Sequence, residues 1–169
     1  MGKTVVKNFS YDCLFCYKYD KAVDPKVVPM LTKSGIKFTY WHLKTKGKYG
    51  TQGSELFSAF MTKDQKAGLG LFDSRAALEK AKMAYYRAYH EKRERWGDGK
   101  DPAAFQKVGL DAAGITGAEF QTLLKEPATQ ARLKEWDSAY GIAEIQGVPA
   151  YVVKDKYLLY TKNIKSIDD

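Results

Sequence analysis

The only two cysteines of the chain, Cys13 and Cys16, are separated by two residues and carry its clearest potential chemistry. They stand where an apolar, strand-like run gives way to a helix-like one, so Cys13 is expected at a helix N-terminus. There, unpaired N–H groups and the helix dipole favour a thiolate, which is the attacking species in disulfide exchange. The pattern predicts a redox dithiol in which Cys13 is the nucleophile and the more covered Cys16 is the resolving thiol.

Two other interpretations of the pair stay open at this point. It could be half of a zinc site, but zinc needs two more ligands, and the only histidines, His42 and His90, show no paired ligand spacing. It could also be two structural thiols or an inert structural disulfide. We expect no metal and no other cofactor.

Length and composition limit the classes of protein that are possible. A chain of 169 residues, 44% of them hydrophobic, fits one domain with a sizeable core, with room for an inserted subdomain. No apolar run reaches the roughly 18 residues that span a membrane. No signal peptide is visible, and residues 1–3 are typical of an expression start fused to a mature sequence.

The chain is basic, with 28 Lys and Arg against 20 Asp and Glu, a difference of 28 − 20 = 8. Such a balance could attract acidic polypeptides, anionic lipid or nucleic acid. The charges are scattered, however, and the densest run, His90 to Arg95, also contains Glu91 and Glu94. This pattern favours a solvated helix face, and we expect no nucleic-acid partner.

The elements around the dithiol follow a strand–helix–strand order. Thr4 to Phe9 reads as a buried strand, Leu14 to Lys33 as a helix broken at Asp24-Pro25, and Ile36 to Leu43 as a second strand. This order predicts a parallel strand pair with a right-handed crossover. A Gly- and Lys-rich loop is expected from Lys44 to Gly53.

Helical texture then continues for about 85 residues. Predicted helices cover Ser54–Ala67, Ser74–Arg95, a segment that starts at Asp101-Pro102, a capping-box helix from Thr116 to about Lys125, and a last one from Pro127 to near Gly141.

The strand signal returns at Gly147 to Val153, with Tyr157 to Thr161 as a partner strand. Pro149 lies inside this run and cannot donate a ladder hydrogen bond, so it must lie at an edge or a bend. A cis Val148–Pro149 bond would make such a bend, while a trans proline that merely opens the strand is the alternative.

Taken together, the chain resembles the DsbA family of thiol:disulfide oxidoreductases. The resemblance rests on Phe-Ser-Tyr-x-Cys-x-x-Cys-Tyr at Phe9 to Tyr17, and on Gly-Val-Pro-Ala at 147–150 followed by Lys156-Tyr157. The basic balance is more similar to the DsbL branch of that family than to its acidic or neutral members.

The resemblance implies an α/β fold: a thioredoxin-like fold with an inserted α-helical domain. We expect residues 1–50 and 142–169 to form a discontinuous thioredoxin-like domain, with 51–141 as the insertion. It also implies that Cys13 and Cys16 are catalytic, and that Val148 and a cis Pro149 flank the disulfide and bind substrate.

Three departures from the family pattern affect these expectations. Between the cysteines stand Leu14 and Phe15, where the family often has Pro-His, and Phe15 offers the thiolate neither charge nor a hydrogen bond. Lys7 stands where relatives usually carry a buried acid. Only nine residues follow Tyr160, where the fold normally ends in a helix, so we expect either a longer natural chain or self-association over an apolar face.

Lys7 and Asp20 are predicted to form a buried ion pair beneath the cysteines. Strand alternation places Lys7 toward the dithiol helix, and Asp20 follows Cys16 by four residues on one helical stripe. The positive charge of Lys7 would favour the Cys13 thiolate and so partly replace what Phe15 cannot provide. Alternatively, Asp20 accepts the proton of Cys16, or both residues are ordinary surface charges.

The resemblance implies a periplasmic oxidase that donates the Cys13–Cys16 disulfide to cysteine-containing secreted proteins and is reoxidised by a DsbB-type membrane protein. A reductase or isomerase that uses the same dithiol is the alternative within the enzyme class. A redox-silent thioredoxin-like binding module or chaperone is the alternative outside it.

Overall fold

The computed structural model describes residues 3–153 and 157–159, and the four strands within these ranges form one mixed sheet in the order β2-β1-β3-β4. The first pair, β1 with β2, is parallel, while β3 is antiparallel to both β1 and β4. The strand bounds are β1 (Thr4–Phe9), β2 (Lys37–His42), β3 (Ala150–Val153) and β4 (Tyr157–Leu159).

The parallel pair is joined by α1 (Leu14–Ala22) and α2 (Asp24–Lys33), which confirms the predicted crossover and its break. Val23 caps the end of α1 and the start of α2, and Pro25 lies in the first turn of α2. Proline is tolerated there because first-turn N–H groups have no partner within the helix.

Six further α-helices lie between β2 and β3 among the described residues. Their bounds are α3 (Gly50–Lys66), α4 (Ala77–Tyr86), α5 (Pro102–Ala113), α6 (Gly117–Leu124), α7 (Pro127–Trp136) and α8 (Ala139–Gln146). The predicted caps of two of them are confirmed: Asp101 accepts from the N–H of Ala104, and Thr116 from that of Glu119, each at 3.1 Å.

Some predicted boundaries were wrong. The helix from Ser74 ends at Tyr86 rather than Arg95, because a π-turn follows over Arg87–Glu91 and Arg93 adopts a left-handed φ of 58°. The helix after the Gly-rich loop begins at Gly50, not at Ser54. Gly50 serves close packing there, since a Cβ would collide with the carbonyl of Lys44.

The other end of the helical segment also differs from the prediction. α8 runs through Gly141 to Gln146, and β3 begins at Ala150 rather than at Gly147. The expected domain limits at 50/51 and 141/142 therefore fall inside α3 and α8, and the division remains a prediction. The expectations of a missing terminal helix and of self-association concern residues 160–169, which lie outside the described residues.

The core between sheet and helices is mainly aromatic. Phe105 stacks on Tyr85 at 4.4 Å and on Tyr49 at 4.8 Å, and Tyr11 meets Phe105 edge-on at 5.1 Å. Such ring pairs add stabilisation beyond the area that they bury. Because Tyr11 lies two residues before Cys13, this cluster fixes the loop that leads to the dithiol.

Candidate functional site

Cys13 and Cys16 form a disulfide at the start of α1, with their Cα atoms 5.2 Å apart. Cys13 is the N-cap residue in extended conformation, and its Sγ accepts a hydrogen bond from the N–H of Cys16 at 3.1 Å. Cys13 keeps 5% of its surface exposed, whereas Cys16 is fully buried. Cys13 is therefore the less buried of the two cysteines, which is the order expected for a nucleophile and its resolving partner.

The two residues between the cysteines are the most exposed apolar side chains near the site. Leu14 is 45% and Phe15 59% exposed, and the Lys18 ammonium lies 5.2 Å from the centre of the Phe15 ring. Neither side chain can donate a hydrogen bond to sulfur. Since they directly follow Cys13 in the chain, they add exposed apolar surface at the start of α1.

The Val148–Pro149 peptide bond is cis, as predicted. Ala150 pairs with Asn8 in the β1–β3 ladder, so the buried Pro149 lies next to the end of β1 from which the chain continues into the dithiol loop. Val148 is partly buried and packs against the core. Topology thus brings the cis-proline turn, from the far end of the chain, to the same end of the sheet as the loop that leads to the dithiol.

The loop before Cys13 is held by polar contacts with β2 and with the residues that follow it. The N–H of Tyr11 donates to His42 Nε2 at 3.3 Å, and His42 Nδ1 lies 2.8 Å from the Ser54 hydroxyl. Burial lowers the pKa of His42 to about 3, so the ring is neutral and its Nδ1 donates to Ser54. Lys46 donates to the Asp12 carboxylate at 2.7 Å. Sequence reasoning treated His42 only as a possible zinc ligand and missed this role.

Tyr17 ties the first turn of α1 to the π-turn after α4. Its hydroxyl donates to Glu91 at 2.7 Å, and its ring stacks on Tyr86 at 5.1 Å. Burial and then the Glu91 carboxylate raise the pKa of Tyr17 to about 12. The dithiol helix is therefore anchored to the helical segment on one side.

Lys7 reaches beneath the dithiol from β1, and it is completely buried. Its ammonium donates to the Cys16 carbonyl at 3.1 Å and to the Asp24 carboxylate at 2.6 Å, and it lies 3.4 Å from Asp20 Oδ2. The ion pair with Asp20 is present, and the interpretation of both residues as surface charges was wrong. The shorter contact is made with Asp24, which the sequence indicated only as a helix break.

Asp20 has a second cation that the sequence gave no reason to expect. Lys82 of α4 donates to Asp20 Oδ1 at 3.1 Å, and the hydroxyls of Tyr40 and Tyr86 donate to Asp20 at 2.8 Å each. Lys82 lies four residues after Leu78 on the buried face of α4, so helical spacing could have indicated its burial, but not its pairing with Asp20. Together with Tyr151, whose hydroxyl donates to Asp24 at 2.8 Å, these groups complete a buried polar cluster.

The two carboxyl groups of the cluster differ in their protonation. Burial alone would raise the pKa of Asp20, but Lys82 and then Lys7 outweigh it and lower this pKa to about 2. For Asp24, burial outweighs Lys7, and the pKa is raised. Asp20 is therefore a fixed anion, and Asp24 is the group whose protonation is more easily changed.

No group of three or more His, Cys, Asp or Glu side chains arranged to bind a metal occurs in the described ranges 3–153 and 157–159. Cys13 and Cys16 are bonded to each other, and neither His42 nor His90 belongs to a group of this kind. Among the same residues, no helix is long and apolar enough to cross a membrane.

Comparisons with known proteins agree with this geometry. The family model for the DSBA-like thioredoxin domain matches residues 4–168. The thiol:disulfide interchange protein DsbL of Lelliottia amnigena is 60% identical over 166 residues, which cover 98% of this chain and 74% of that protein.

Solved structures give the same result. The crystal structure of DsbL from Salmonella enterica serovar Typhimurium superimposes with a TM-score of 0.96 at 58% identity, over 99% of this chain and 83% of that one. A DsbA structure from Klebsiella pneumoniae, 22% identical, shares the fold with a TM-score of 0.73 over 98% of this chain and 79% of its own.

Proposed function

The chain belongs to the DSBA-like thioredoxin domain family, and we propose that this thiol:disulfide oxidoreductase works as an oxidase, which passes the Cys13–Cys16 disulfide to cysteine-containing proteins of the periplasm. The observation that carries the proposal is the position of Cys13. It caps α1, is the less buried cysteine of the pair, and its Sγ accepts a hydrogen bond from the N–H of Cys16. Each of these features stabilises a Cys13 thiolate, and hence the reduced form of the enzyme.

In the proposed reaction, a client thiolate attacks Cys13 Sγ, and a mixed disulfide forms as the Cys13–Cys16 bond breaks. The bonding electron pair leaves on Cys16 Sγ, which takes up a proton. A second client thiolate then attacks the client sulfur of the mixed disulfide and releases the Cys13 thiolate. The client is oxidised by two electrons, and the enzyme is reduced by two.

Of the two buried carboxyl groups, Asp24 is the better candidate to exchange the proton of Cys16. Its pKa is raised by burial, while the pKa of Asp20 is held low by Lys82 and Lys7. Lys7 joins Asp24 to the Cys16 carbonyl and places its positive charge under the dithiol. In this proposal Asp20 keeps the cluster charged, and Asp24 takes the proton-transfer role first considered for Asp20.

Client binding is proposed at the end of the sheet where the cis-proline turn lies. An extended client segment would pair with the backbone beside Val148 and Pro149, so that recognition depends on main-chain hydrogen bonds and tolerates many sequences. Leu14 and Phe15 would add apolar contact next to the reactive sulfur. A DsbB-type membrane protein would reoxidise the dithiol.

The test uses a reduced, unfolded client with two cysteines. The oxidised enzyme should oxidise it stoichiometrically. In the capture arm the client keeps only one of its cysteines, so that no second client thiolate can release it, and Cys16→Ala, loaded as a mixed disulfide with a small thiol on Cys13, should exchange that thiol for this client and retain it. Cys13→Ala, prepared in the same way, is the matched control and should retain far less client. Equal capture by both variants would contradict the assignment of Cys13 as the sulfur that clients attack.

A further inference from the structure

The buried cluster beneath the dithiol contains a cation from a distant part of the chain. Lys82 lies on α4, and its side chain is completely shielded from solvent. Its ammonium is 3.1 Å from Asp20 Oδ1, 3.0 Å from the Tyr40 hydroxyl and 3.1 Å from Glu79 Oε2. A fully buried lysine is rare unless it is paired, and this one is paired with a carboxylate of the dithiol helix.

Groups other than Lys7 donate three hydrogen bonds to the carboxylate of Asp20, which has about four acceptor sites. Oδ1 accepts from Lys82 and from Tyr40, and Oδ2 accepts from Tyr86 at 2.8 Å. Lys7 stands 3.4 Å from Oδ2, which is an ion-pair contact longer than its two hydrogen bonds. Asp20 therefore forms an ion pair with Lys7, while the hydrogen bonds of Lys7 go to other groups.

Lys7 instead directs its hydrogen bonds to the Cys16 carbonyl at 3.1 Å and to Asp24 at 2.6 Å. The bond to the carbonyl is the direct link between the cluster and the first turn of α1. Without Lys82, Lys7 would be the remaining cation beside the Asp20 carboxylate. The attraction between the two charges would then draw the Lys7 ammonium toward Asp20. The carbonyl of Cys16 would then lose its donor.

We propose that Lys82 is a positioning residue for the dithiol: by occupying Asp20, it reserves Lys7 for the Cys16 carbonyl and for Asp24. Lys82 lies on the helical segment between β2 and β3 and does not touch the disulfide itself. It thus affects the oxidising strength of the disulfide through Asp20 and Lys7. The inference rests on the proposed function only in its use of the reduction potential. The expected change is a fall in the reduction potential when Lys82 is removed, because positive charge beside the Cys13 thiolate is then lost.

The low pKa of Asp20, about 2, agrees with this arrangement, because burial opposes it and Lys82 contributes more to it than Lys7 does. Burial alone would lower the pKa of Lys82, but Asp20 and then Glu79 raise it. The ammonium therefore stays charged in the core.

The experiment is a double-mutant cycle on the redox equilibrium with glutathione. Lys82→Met, Asp20→Asn and the double variant are compared with the unmodified protein, together with Lys80→Met, which removes an exposed lysine from the same helix. Lys82→Met should make the protein a weaker oxidant, with an equilibrium constant lowered by about threefold or more, as expected for groups in one ion-pair network. Lys80→Met should leave it unchanged.

The decisive comparison is Lys82→Met in the Asp20→Asn background, where Lys7 has no rival acceptor. There the substitution should change the equilibrium constant little. An equal change in both backgrounds would mean that Lys82 acts directly on the sulfur, and no change in either would mean that it has only a structural role; both results overturn the proposal. The double variant leaves no unpaired charge from the Lys82–Asp20 pair, so it should stay folded even if Lys82→Met alone unfolds. Its equilibrium constant can then still be compared with that of Asp20→Asn. Client oxidation plays no part in this assay, so a failure of the proposed function would be recognised separately.

Discussion

Replacing Lys7 by Met removes the only ammonium that donates to the backbone of the dithiol helix among the described residues. The contacts from Lys7 to the Cys16 carbonyl and from the Cys16 N–H to Cys13 Sγ, each 3.1 Å, keep this charge within about 10 Å of the sulfur. At that distance and an effective dielectric constant of about 20, two unit charges interact by about 1.7 kcal/mol, or about 1.2 pKa units. Asp20 and Asp24 cancel part of it, so we expect the Cys13 pKa to rise by about 0.5 to 1 unit.

The reduction potential should fall with the loss of this charge. For a two-electron couple, a tenfold change in the equilibrium constant corresponds to about 30 mV, so the expected fall is about 15 to 30 mV. The pKa is measured from thiolate absorbance in the reduced protein, and the potential against glutathione. Lys37→Met, which removes an exposed lysine from β2, is the matched control and should change neither quantity.

The two readouts must move together. A pKa that rises without a fall in potential would mean that the oxidised form is destabilised equally, which a purely electrostatic effect on a thiolate cannot do. If neither moves beyond error while the thermal midpoint drops, Lys7 is a structural residue, and the thiolate owes its stability to the helix N-terminus alone.

Three further predictions follow. Phe15→His should raise the potential, because an imidazole between the cysteines supplies the hydrogen bond that Phe15 cannot, and glutathione equilibration of Phe15→His beside Phe15→Ala would show it. Gly50→Ala should lower the thermal midpoint far more than Gly117→Ala, since a Cβ collides with the Lys44 carbonyl at Gly50 and meets open space at Gly117; equal midpoints would refute the packing argument. Asp20 has a folded pKa of about 2 against an ordinary 3.8, so its charged form adds stability above pH 3.8 that is lost as the pH falls toward 2. The stability difference between the unmodified protein and Asp20→Asn, from urea unfolding, should therefore shrink over that range, and a constant difference would contradict the assignment.

The parts of the site that rest on local chemistry could be predicted from the sequence. Spacing and the strand-to-helix change placed Cys13 at a helix start, and family resemblance placed a cis bond before Pro149; both are present. The caps at Asp101 and Thr116 were equally local. In each case a few neighbouring residues determine the geometry.

What the sequence could not supply depends on contacts between distant elements. Lys82 is 62 residues from Asp20 in the chain. Its spacing, four residues after Leu78 and three before Tyr85, places it on the buried face of α4, unlike the exposed Lys80, but does not identify Asp20 as its partner. Asp24 was taken as a helix break because it precedes proline, although its carboxylate binds Lys7. The Gly-rich stretch before Ser54 suggested a loop, but Gly50 allows close backbone packing at the start of a helix.

The central claim is that the enzyme is an oxidase, and the redox equilibrium of Cys13–Cys16 with glutathione tests it most directly. A Cys13 sulfur at the N-cap of α1, above a buried lysine, should give a potential more positive than about −180 mV, the range of strongly oxidising thioredoxin-fold proteins. A potential near about −270 mV, as in thioredoxin, would contradict the account and identify the dithiol as a reductant.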